Sequence, residues 1–470
     1  MKRYLLLLFL PGLMSLQAQK PWTLEECLDY ARTHNLNILQ SELDIGIKEQ
    51  AYKEAKYAVL PSLQIGSSGM WNYGLTQNLT TGILENQTVF GNNIRISSEM
   101  PLFQGLYWKN NRQAAYLNKL LAEYTRDSQI KKISTQIVQS YLQVLMDKEA
   151  LAAAEAQWQA GLEQQRKMRE LVDAGVRPQS DLKDLEAQSA RDYLEYVRIK
   201  NRLKLDKMQL AQLLELDDPA SFEINGEQPV RVNEKLLLQS ADELFRQYYP
   251  QTVENRMAKT RMAMGEKQIR LARSGLYPSV SLFFSWNSRY MDREKITGVE
   301  IDPDNPYRVI GITEQSHENV LAPNFRYITG PPDPYWDQIR QNQGTAVGFS
   351  INIPLFNRFR TRLKIREAGL QQEKNKLANR QQSNEFRYQV EQLHADILNA
   401  KEKQKAALKS KEAAETAYRY AMEKLNAGLL SPYDLENARS RKMRAEADYL
   451  SAKYEYLLKL KLLELLLQAD

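Results

Sequence analysis

An internal duplication constrains the fold of this chain more than any other feature of its 470 residues. Three short motifs occur twice in the same order, and each second copy lies 253 positions after the first. The pairs are 100–104 (MPLFQ) with 353–357 (IPLFN), 174–175 (AG) with 427–428 (AG), and 181–182 (DL) with 434–435 (DL). Because the offset is the same for all three pairs, the distances between the strand end, the turn and the following helix are equal in both copies. The sequence therefore predicts two copies of one structural repeat, at 19–230 and 231–470.

The second repeat contains an insertion. The segment 60–63 (LPSL) matches 277–280 (YPSV) at an offset of 217 instead of 253, so 36 extra residues must lie between this match and the next motif. They fall within 287–344, a stretch with several Asp-Pro and Gly-Pro steps. Such steps are typical of turns and loops. We expect a long exposed loop there, much longer than its counterpart in the first repeat.

Each repeat is expected to contain a helix, two strands, and two long helices joined by a turn. In the second repeat, apolar residues from Phe386 to Leu425 recur at alternating spacings of four and three, with two polar interruptions. This heptad periodicity indicates coiled-coil-like packing. A helix over about 360–427 would extend on the order of 100 Å. The sequence therefore predicts an elongated, mainly α-helical chain with two long coiled-coil hairpins, whose tips lie near 175–180 and 428–433.

The hairpin turns are marked by residues with special backbone preferences. Gly175 and Gly428 can each supply the left-handed residue that ends a helix. The segment 431–434 (SPYD) then offers an N-cap serine, a first-turn proline and a capping carboxylate. In the first repeat Pro178 occupies the position of the N-cap serine. We therefore expect its cap to be weaker or shifted to Ser180.

Four segments alternate apolar and polar residues, which predicts strands with one apolar and one polar face. They lie at about 61–73, 92–101, 278–287 and 345–354. A small soluble sheet packed on helices would show the same alternation. Two features favour membrane strands: each segment runs about ten residues, as a tilted membrane strand requires, and the flanking helices are already committed to coiled-coil seams.

A membrane sheet cannot keep open edges, and four strands are too few to close a barrel, since the smallest barrels have about eight. The four amphipathic strands per chain would therefore contribute to an oligomeric transmembrane β-barrel. Two, three or four copies of the chain would satisfy this requirement, and geometry alone does not choose between them.

The first residues have the layout of a secretory signal. A cationic start precedes an apolar run from Tyr4 to Leu16 that is too short to span a bilayer, and the small Ala18 follows. We expect a signal peptide at 1–18, with cleavage near Ala18 or Gln19. The mean hydropathy is −0.56 and no second long apolar stretch occurs, so any membrane insertion would have to use strands.

The composition argues against several other classes of protein. The 64 Lys and Arg residues are interspersed with 58 Asp and Glu residues, a pattern of solvated helical faces rather than of a nucleic-acid-binding stripe. The single cysteine, Cys27, shares a helical face with Leu24 and Ala31, which predicts a small buried hydrophobe. The three histidines are scattered, and no phosphate-binding glycine loop occurs. We expect no catalysis, no metal, no cofactor and no nucleic-acid partner.

These motifs resemble those of the TolC-like outer membrane efflux proteins, also called outer membrane factors. The resemblance covers 22–468 and is carried by the LPSL strand start, the Pro-Leu-Phe strand ends, the Ala-Gly turns, and the Asp-Leu pair six residues after each turn glycine. It implies a homotrimer whose strands form one barrel in the outer membrane and whose helices form a tunnel across the periplasm. The hairpin tips would meet a periplasmic adaptor protein coupled to an inner-membrane pump.

The function implied is a passive exit channel of a tripartite export system. Efflux of small molecules and one-step (type I) protein secretion are not separable from this sequence, since substrate choice generally rests with the pump. The alternative from another class is a periplasmic coiled-coil adaptor or structural protein. Such a protein would also have a signal peptide and long hairpins, but it would lack the duplicated amphipathic strands.

The resemblance also implies candidate residues at the periplasmic constriction. In this family, acidic residues on the inner helices ring the entrance of the tunnel. The matching positions are Asp434 and Asn437, with Asp181 and Asp184 as their counterparts in the first repeat. The two aspartates Asp434 and Asp181 equally fit a role as helix caps, because a carboxylate is favourable at the positive end of a helix dipole.

Two further sets of tip positions follow from the resemblance. Some family members hold the entrance shut with an arginine and a tyrosine at positions that are Leu430 and Leu425 here, so an apolar constriction is the alternative. Adaptor docking is implied for the turns themselves. The docking positions are Gly175, Val176, Gly428 and Leu429.

Overall fold

The computed structural model describes residues 21–77, 84–219, 221–226 and 230–468. The predicted signal peptide and its cleavage site lie outside these residues. The chain forms two compact units. The helical unit comprises the described residues up to 50 together with 116–266 and those from 370 onward, and the sheet unit comprises 51–115 and 267–369. Both sequence repeats contribute to each unit.

The described residues contain nine α-helices and eight β-strands. The helices are α1 Leu24–His34, α2 Leu36–Tyr57, α3 Tyr107–Asp173, α4 Gln179–Leu213, α5 Ala241–Tyr248, α6 Val253–Ser274, α7 Tyr335–Gln341, α8 Arg360–Asn426 and α9 Pro432–Leu467. The strands are β1 Ser62–Gln77, β2 Leu84–Gln104, β3 Ser279–Met291, β4 Lys295–Ile301, β5 Tyr307–Ile312, β6 Asn319–Pro323, β7 Phe325–Gly330 and β8 Gly344–Asn352. The prediction of a mainly α-helical chain with a small β part is confirmed.

Two long helical hairpins form the helical unit. Helices α3 and α8 each have 67 residues, and each is followed by a turn and a second long helix. Ion pairs connect the two arms of each hairpin in antiparallel order. They are Asp147 with Arg202 (2.6 Å) and Arg169 with Glu186 (3.3 Å) in the first hairpin, and Lys459 with Asp396 (2.7 Å) and Lys403 with Glu455 (2.7 Å) in the second. None of the described helices has both the length and the apolar character needed to cross a membrane.

The first core of the helical unit surrounds Tyr141 on α3. Its ring is 2% exposed, and its hydroxyl donates to the carbonyl oxygens of Trp22 (3.2 Å) and Asn225 (3.0 Å). Helix α1 packs into this core after a complete capping box of Thr23 and Glu26. Fixing both ends of the cap sets the angle at which α1 enters the core.

Cys27 is one of the fully buried residues of this first core. Burial raises the pKa of its thiol to about 12, and the neighbouring carboxylates of α1 add to the effect. A thiol with so high a pKa is not a nucleophile at neutral pH. Cys27 therefore acts as the small buried hydrophobe that its position in the sequence predicts.

The second core of the helical unit is built on the heptad positions of α8. Phe386, Val390 and Ile397 are fully buried, and they pack with residues of α9 such as Leu460 and Leu463. Towards the tip the heptad positions are mostly alanine, which allows close approach of helices, and these alanines are only half-buried within the single chain.

The sheet unit contains a four-stranded antiparallel sheet with the order β1-β2-β3-β8. Its register places Leu63, Ser98, Phe284 and Val347 in one row across the sheet, and Ile65 in the next row of the same face. This face is apolar and exposed: Leu63 and Ile65 are 75% and 76% exposed, and Val347 is 70% exposed. The sequence prediction of amphipathic strands is confirmed.

The opposite face of the sheet is mainly polar. Rows across it combine Gln64, Ser97 and Ser285, and further along Arg95 and Asn287. Phe283 is the main aromatic residue on this face, and its ring occupies the space above a glycine. The ring of Phe283 lies over Gly348, where an added Cβ would come within 2.8 Å of the ring. Glycine at position 348 therefore lets the Phe283 ring lie against the sheet, and a larger residue there would displace the ring.

The insertion is not the plain loop that the sequence predicts. It contains two antiparallel strand pairs, β4 with β7 and β5 with β6, and the short helix α7. The Asp-Pro and Gly-Pro steps do mark turns. The segments between these steps are short, so we expected them to belong to the loop. Helix α7 packs on β3, where Ser288 donates to the carbonyl oxygen of Ile339 at 2.6 Å and the Gln338 amide donates to that of Met291 at 3.0 Å.

Candidate functional site

The turns at the two hairpin tips share one hydrogen-bonding pattern. Gly175 and Gly428 adopt left-handed φ values of +74° and +75°. In both turns the residue after the glycine donates its N–H to the carbonyl five positions earlier, as in a Schellman motif. These bonds are Val176 to Leu171 (2.9 Å) and Leu429 to Lys424 (2.8 Å). The tips are therefore locally fixed by the glycines and need no further contact to form.

The helices that leave the two tips begin differently. Ser431 caps α9: its hydroxyl accepts from the Asp434 N–H at 3.2 Å and donates to the Asp434 carboxylate at 2.6 Å. Pro178 is the N-cap of α4 and makes no side-chain cap bond. The Ser180 hydroxyl only approaches the Asp181 carboxylate, at 3.5 Å. The first tip therefore has the weaker cap, as the sequence predicts.

The four predicted constriction positions lie in the first two turns of α4 and α9. Asp434, Asn437 and Asp184 are exposed, whereas Asp181 is half-buried with its carboxylate 3.8 Å from the Arg177 guanidinium. Within the described part of the chain, no hydrogen bond or ion pair joins Asp434 or Asn437 to Asp181 or Asp184. One chain therefore does not assemble them into a single site, and their role in a constriction stays a prediction.

The predicted docking positions are accessible. Val176 and Leu429 are 66% and 77% exposed, although both are apolar. The space around the turn glycines is open, so it is the backbone conformation and not crowding that requires glycine. Leu430 and Leu425, at the positions of the family's lock, are half-buried.

A buried ion pair behind the tips was not predicted from the sequence. Arg439 on α9 and Asp192 on α4 pair directly, and their side chains are only 2% and 3% exposed. The Gln188 amide donates to Asp192 at 3.0 Å, and the Gln157 amide of α3 faces the Arg439 guanidinium. Glu436 lies 3.7 Å from the same guanidinium. The Arg439 cluster, as we name these five residues, joins both helices of the first hairpin to α9 of the second.

The surroundings of the Arg439 cluster explain how two charges can be buried there. Gly161 on α3 leaves space, since a Cβ at this position would lie 3.0 Å from the Asp192 carboxylate. Burial raises the pKa of the Glu436 carboxyl, and Arg439 opposes the shift. Removing one member of such a pair leaves an uncompensated buried charge. The cluster therefore connects the hairpins through specific partners, and losing one of its two buried charges should be costly.

The only sequence signal for this cluster was Gly161. A glycine inside a long helix costs about 1 kcal/mol relative to alanine, so it indicates close packing or a special role. Asp192 and Arg439 themselves stand among many other charged residues of α4 and α9, which we interpreted as solvated helical faces. Their pairing joins positions 247 residues apart, which no local pattern predicts.

The fold and the tip geometry agree with a comparison against protein families. The outer membrane efflux protein family matches residues 27–215 and 256–467, which is most of the chain. The chain belongs to this family. Its members are channels of tripartite export systems, which favours the channel function over the periplasmic adaptor that was the alternative. No curated protein matches the chain significantly.

Solved structures of outer membrane channels share the fold over nearly the whole chain. CusC has 15% identity and a TM-score of 0.73, with 95% of this chain and 92% of CusC covered. VceC of Vibrio cholerae has 15% identity and a TM-score of 0.69, with coverage of 94% and 95%. The open-state MtrE channel of Neisseria gonorrhoeae has 16% identity and a TM-score of 0.67, with coverage of 94% and 88%.

The Arg439 cluster generates a stability prediction. Replacing Arg439 with alanine leaves the Asp192 carboxylate buried without its partner, which should destabilise the protein by about 3–5 kcal/mol. We expect a clearly lower thermal unfolding midpoint by circular dichroism of the purified protein in detergent.

Arg441→Ala is the matched control, because Arg441 is exposed on the same helix. The double variant Arg439→Met with Asp192→Leu should recover most of the loss, since it removes both charges together. Equal melting of Arg439→Ala and Arg441→Ala would contradict the expected cost of leaving the Asp192 carboxylate buried and unpaired.

Proposed function

We propose that several copies of this chain close a barrel and form a passive exit duct across the outer membrane and the periplasm. One observation carries the proposal: a sheet with an exposed apolar face whose two outer strands each have a single partner strand. Within the described residues β1 pairs only with β2, and β8 pairs only with β3. In hydrocarbon, such edges are tolerated only when another chain pairs with them.

The sheet also carries aromatic residues at the level expected of a membrane interface. Trp71 and Phe90 pair across β1 and β2 with ring centres 4.7 Å apart, and Tyr290 on β3 lies 6.4 Å from Phe90. Tyr335 of α7 continues the row, 5.0 Å from Tyr290. Aromatic girdles at both interfaces are typical of outer membrane barrels. The row supports a sheet that spans the membrane with α7 near one surface.

The number of copies and the partners rest on the family. Physical closure accepts two, three or four copies, and the resemblance favours a homotrimer. By the same resemblance we propose that the helical unit lies in the periplasm after removal of a signal peptide, with the tips facing an adaptor and, through it, a pump. Val176 and Leu429 are apolar and exposed at the two tips, so they are accessible for contact with an adaptor.

The channel proposal predicts the behaviour of the protein in cell fractions. We expect it in the outer membrane fraction, running on an unboiled gel as an oligomer that boiling converts to monomer. A periplasmic adaptor would also be exported, but it would dissolve without detergent. A soluble monomer in the periplasmic fraction would overturn the proposal.

A ring of Asp434 carboxylates at the tunnel entrance should favour cations. Replacing Asp434 with alanine should lower the cation-to-anion permeability ratio in planar bilayers by up to about fivefold, because one charge contributes about 1 kcal/mol in water. The reversal potential in a salt gradient measures this ratio. Asp448→Ala, which removes an exposed aspartate further along α9, serves as the control. An unchanged reversal potential in Asp434→Ala would remove this residue from the constriction.

Adaptor contact at the second tip is tested at Leu429. Introducing a charge there, as in Leu429→Glu, should abolish most export of a pump substrate, since a buried unpaired charge costs several kcal/mol at an interface. Leu429→Met keeps the apolar character and should export normally. Both variants must reach the outer membrane in equal amount. Full export by Leu429→Glu would exclude contact at this residue.

A further inference from the structure

The sheet unit contains a basic cleft where its strands join its helices. The cleft has a volume of about 250 Å³ and two walls. The first wall consists of Gly105, Leu106, Lys109, Asn110 and Gln113, at the end of β2 and the start of α3, and the second consists of Lys267, Arg270, Arg273 and Tyr277, from α6 to the start of β3. Gln104 and Ser279 are the last paired residues of β2 and β3, so the cleft lies directly beyond the strand ends.

Close packing at Gly105 holds the two walls together. Gly105 has a φ of +55°, and a Cβ there would lie 2.8 Å from both the Ser274 carbonyl oxygen and the Cβ of Tyr277. Leu106 follows with a φ of +63°, a conformation that is strained for a leucine. The buried Asn110 fixes this turn by donating to the Leu106 carbonyl oxygen at 3.0 Å. The cleft is therefore formed by specific local geometry.

Four cations line the cleft, and no carboxylate does. The side chains of Lys109, Lys267, Arg270 and Arg273 form no ion pair or hydrogen bond with any residue that the structure describes. Other exposed cations, such as Lys364 and Arg366, are also without an ion pair among the described residues, so the distinctive feature of the cleft is that four cations line one cavity together with no carboxylate. Gathered in one cleft without counter-charges, four cations repel one another unless an anion binds. The positive end of α3, at the same place, also favours an anion.

The lining of the cleft also includes exposed apolar surface. Leu106 and Tyr277 are 59% and 55% exposed. A free anion would gain nothing from these side chains. A lipid, in contrast, has acyl chains that can cover exposed apolar side chains next to its charged head group, and basic pockets at membrane level bind anionic head groups in this way.

We propose that this cleft binds the phosphate head group of an anionic phospholipid, with the acyl chains along the apolar face of the sheet. The inference rests on the proposed insertion of the sheet in a membrane, because only then do lipid head groups lie at the strand ends. A bound head group would neutralise the cations at the point where strands give way to helices. The lipid thereby contributes to the stability of the membrane-inserted form.

The test is native mass spectrometry of the full-length protein in detergent with phosphatidylglycerol. Arg270→Gln with Arg273→Gln removes two cations from one wall, and Lys109→Gln removes one from the other. With about 1 kcal/mol per cation, we expect affinity to fall about thirtyfold in the double variant and about fivefold in Lys109→Gln. Lys364→Gln with Arg366→Gln, two exposed cations on α8 outside the cleft, should change affinity less than about twofold at the same loss of charge.

The outcomes distinguish lipid phosphate from inorganic phosphate, and they distinguish failure of this inference from failure of the channel proposal. Equal phosphatidylglycerol affinity in all variants would overturn the site. Inorganic phosphate that binds as tightly as the lipid would overturn the lipid assignment. Outer-membrane fractionation with no cleft-dependent lipid binding would reject this inference and leave the channel proposal standing. A soluble protein would reject the channel proposal.

Discussion

Each outer strand of the four-stranded sheet, β1 and β8, has a row of backbone amides and carbonyls without a partner strand among the described residues. In water this is a moderate liability, but in hydrocarbon each unsatisfied group costs several kcal/mol. The exposed apolar face and the open edges together make a single chain incomplete as a membrane protein. On our proposal, pairing between copies supplies the missing hydrogen bonds, and the long hairpins must then pack with those of other copies. The half-buried alanines of the α8 heptad agree with such packing.

Features that depend on neighbouring residues could be predicted from the sequence. Gly428 and Ser431 act within one turn, so the Schellman motif and the N-cap followed from local preferences. The heptads of α8 specified which face of the helix packs, and within one chain Phe386 and Val390 on that face are fully buried. Alternation along the strands specified their two faces. Successive side chains point to opposite sides of a sheet, so a shift by one residue would move the whole apolar set to the other face. The duplication then fixed the order of these elements.

Features that depend on residues far apart in the sequence could not be predicted from it. Arg439 and Asp192 are separated by 247 positions, and each is surrounded by other charged residues, so composition favoured solvent over a buried pair. The prediction of a loop for the insertion rested on its prolines. The structure of the insertion depends instead on pairing of β4 with β7, which lie about thirty residues apart. The candidate constriction at Asp434 is a still more distant case. On our proposal its geometry depends on other copies of the chain, so neither the sequence nor one folded chain assembles it.

The two groups of basic residues in this protein show how pairing separates structural charges from binding charges. Arg439 is almost fully buried, and its partner Asp192 satisfies it within the chain, so it has no capacity left for a ligand. Arg270 and Arg273 are exposed in a preformed cleft and lack acidic partners. Burial without pairing is too costly to persist, whereas exposure without pairing is tolerated and leaves the charge available. On our proposal the unpaired cations of the cleft bind an external anion, and the exposed Leu106 and Tyr277 beside them contact its acyl chains.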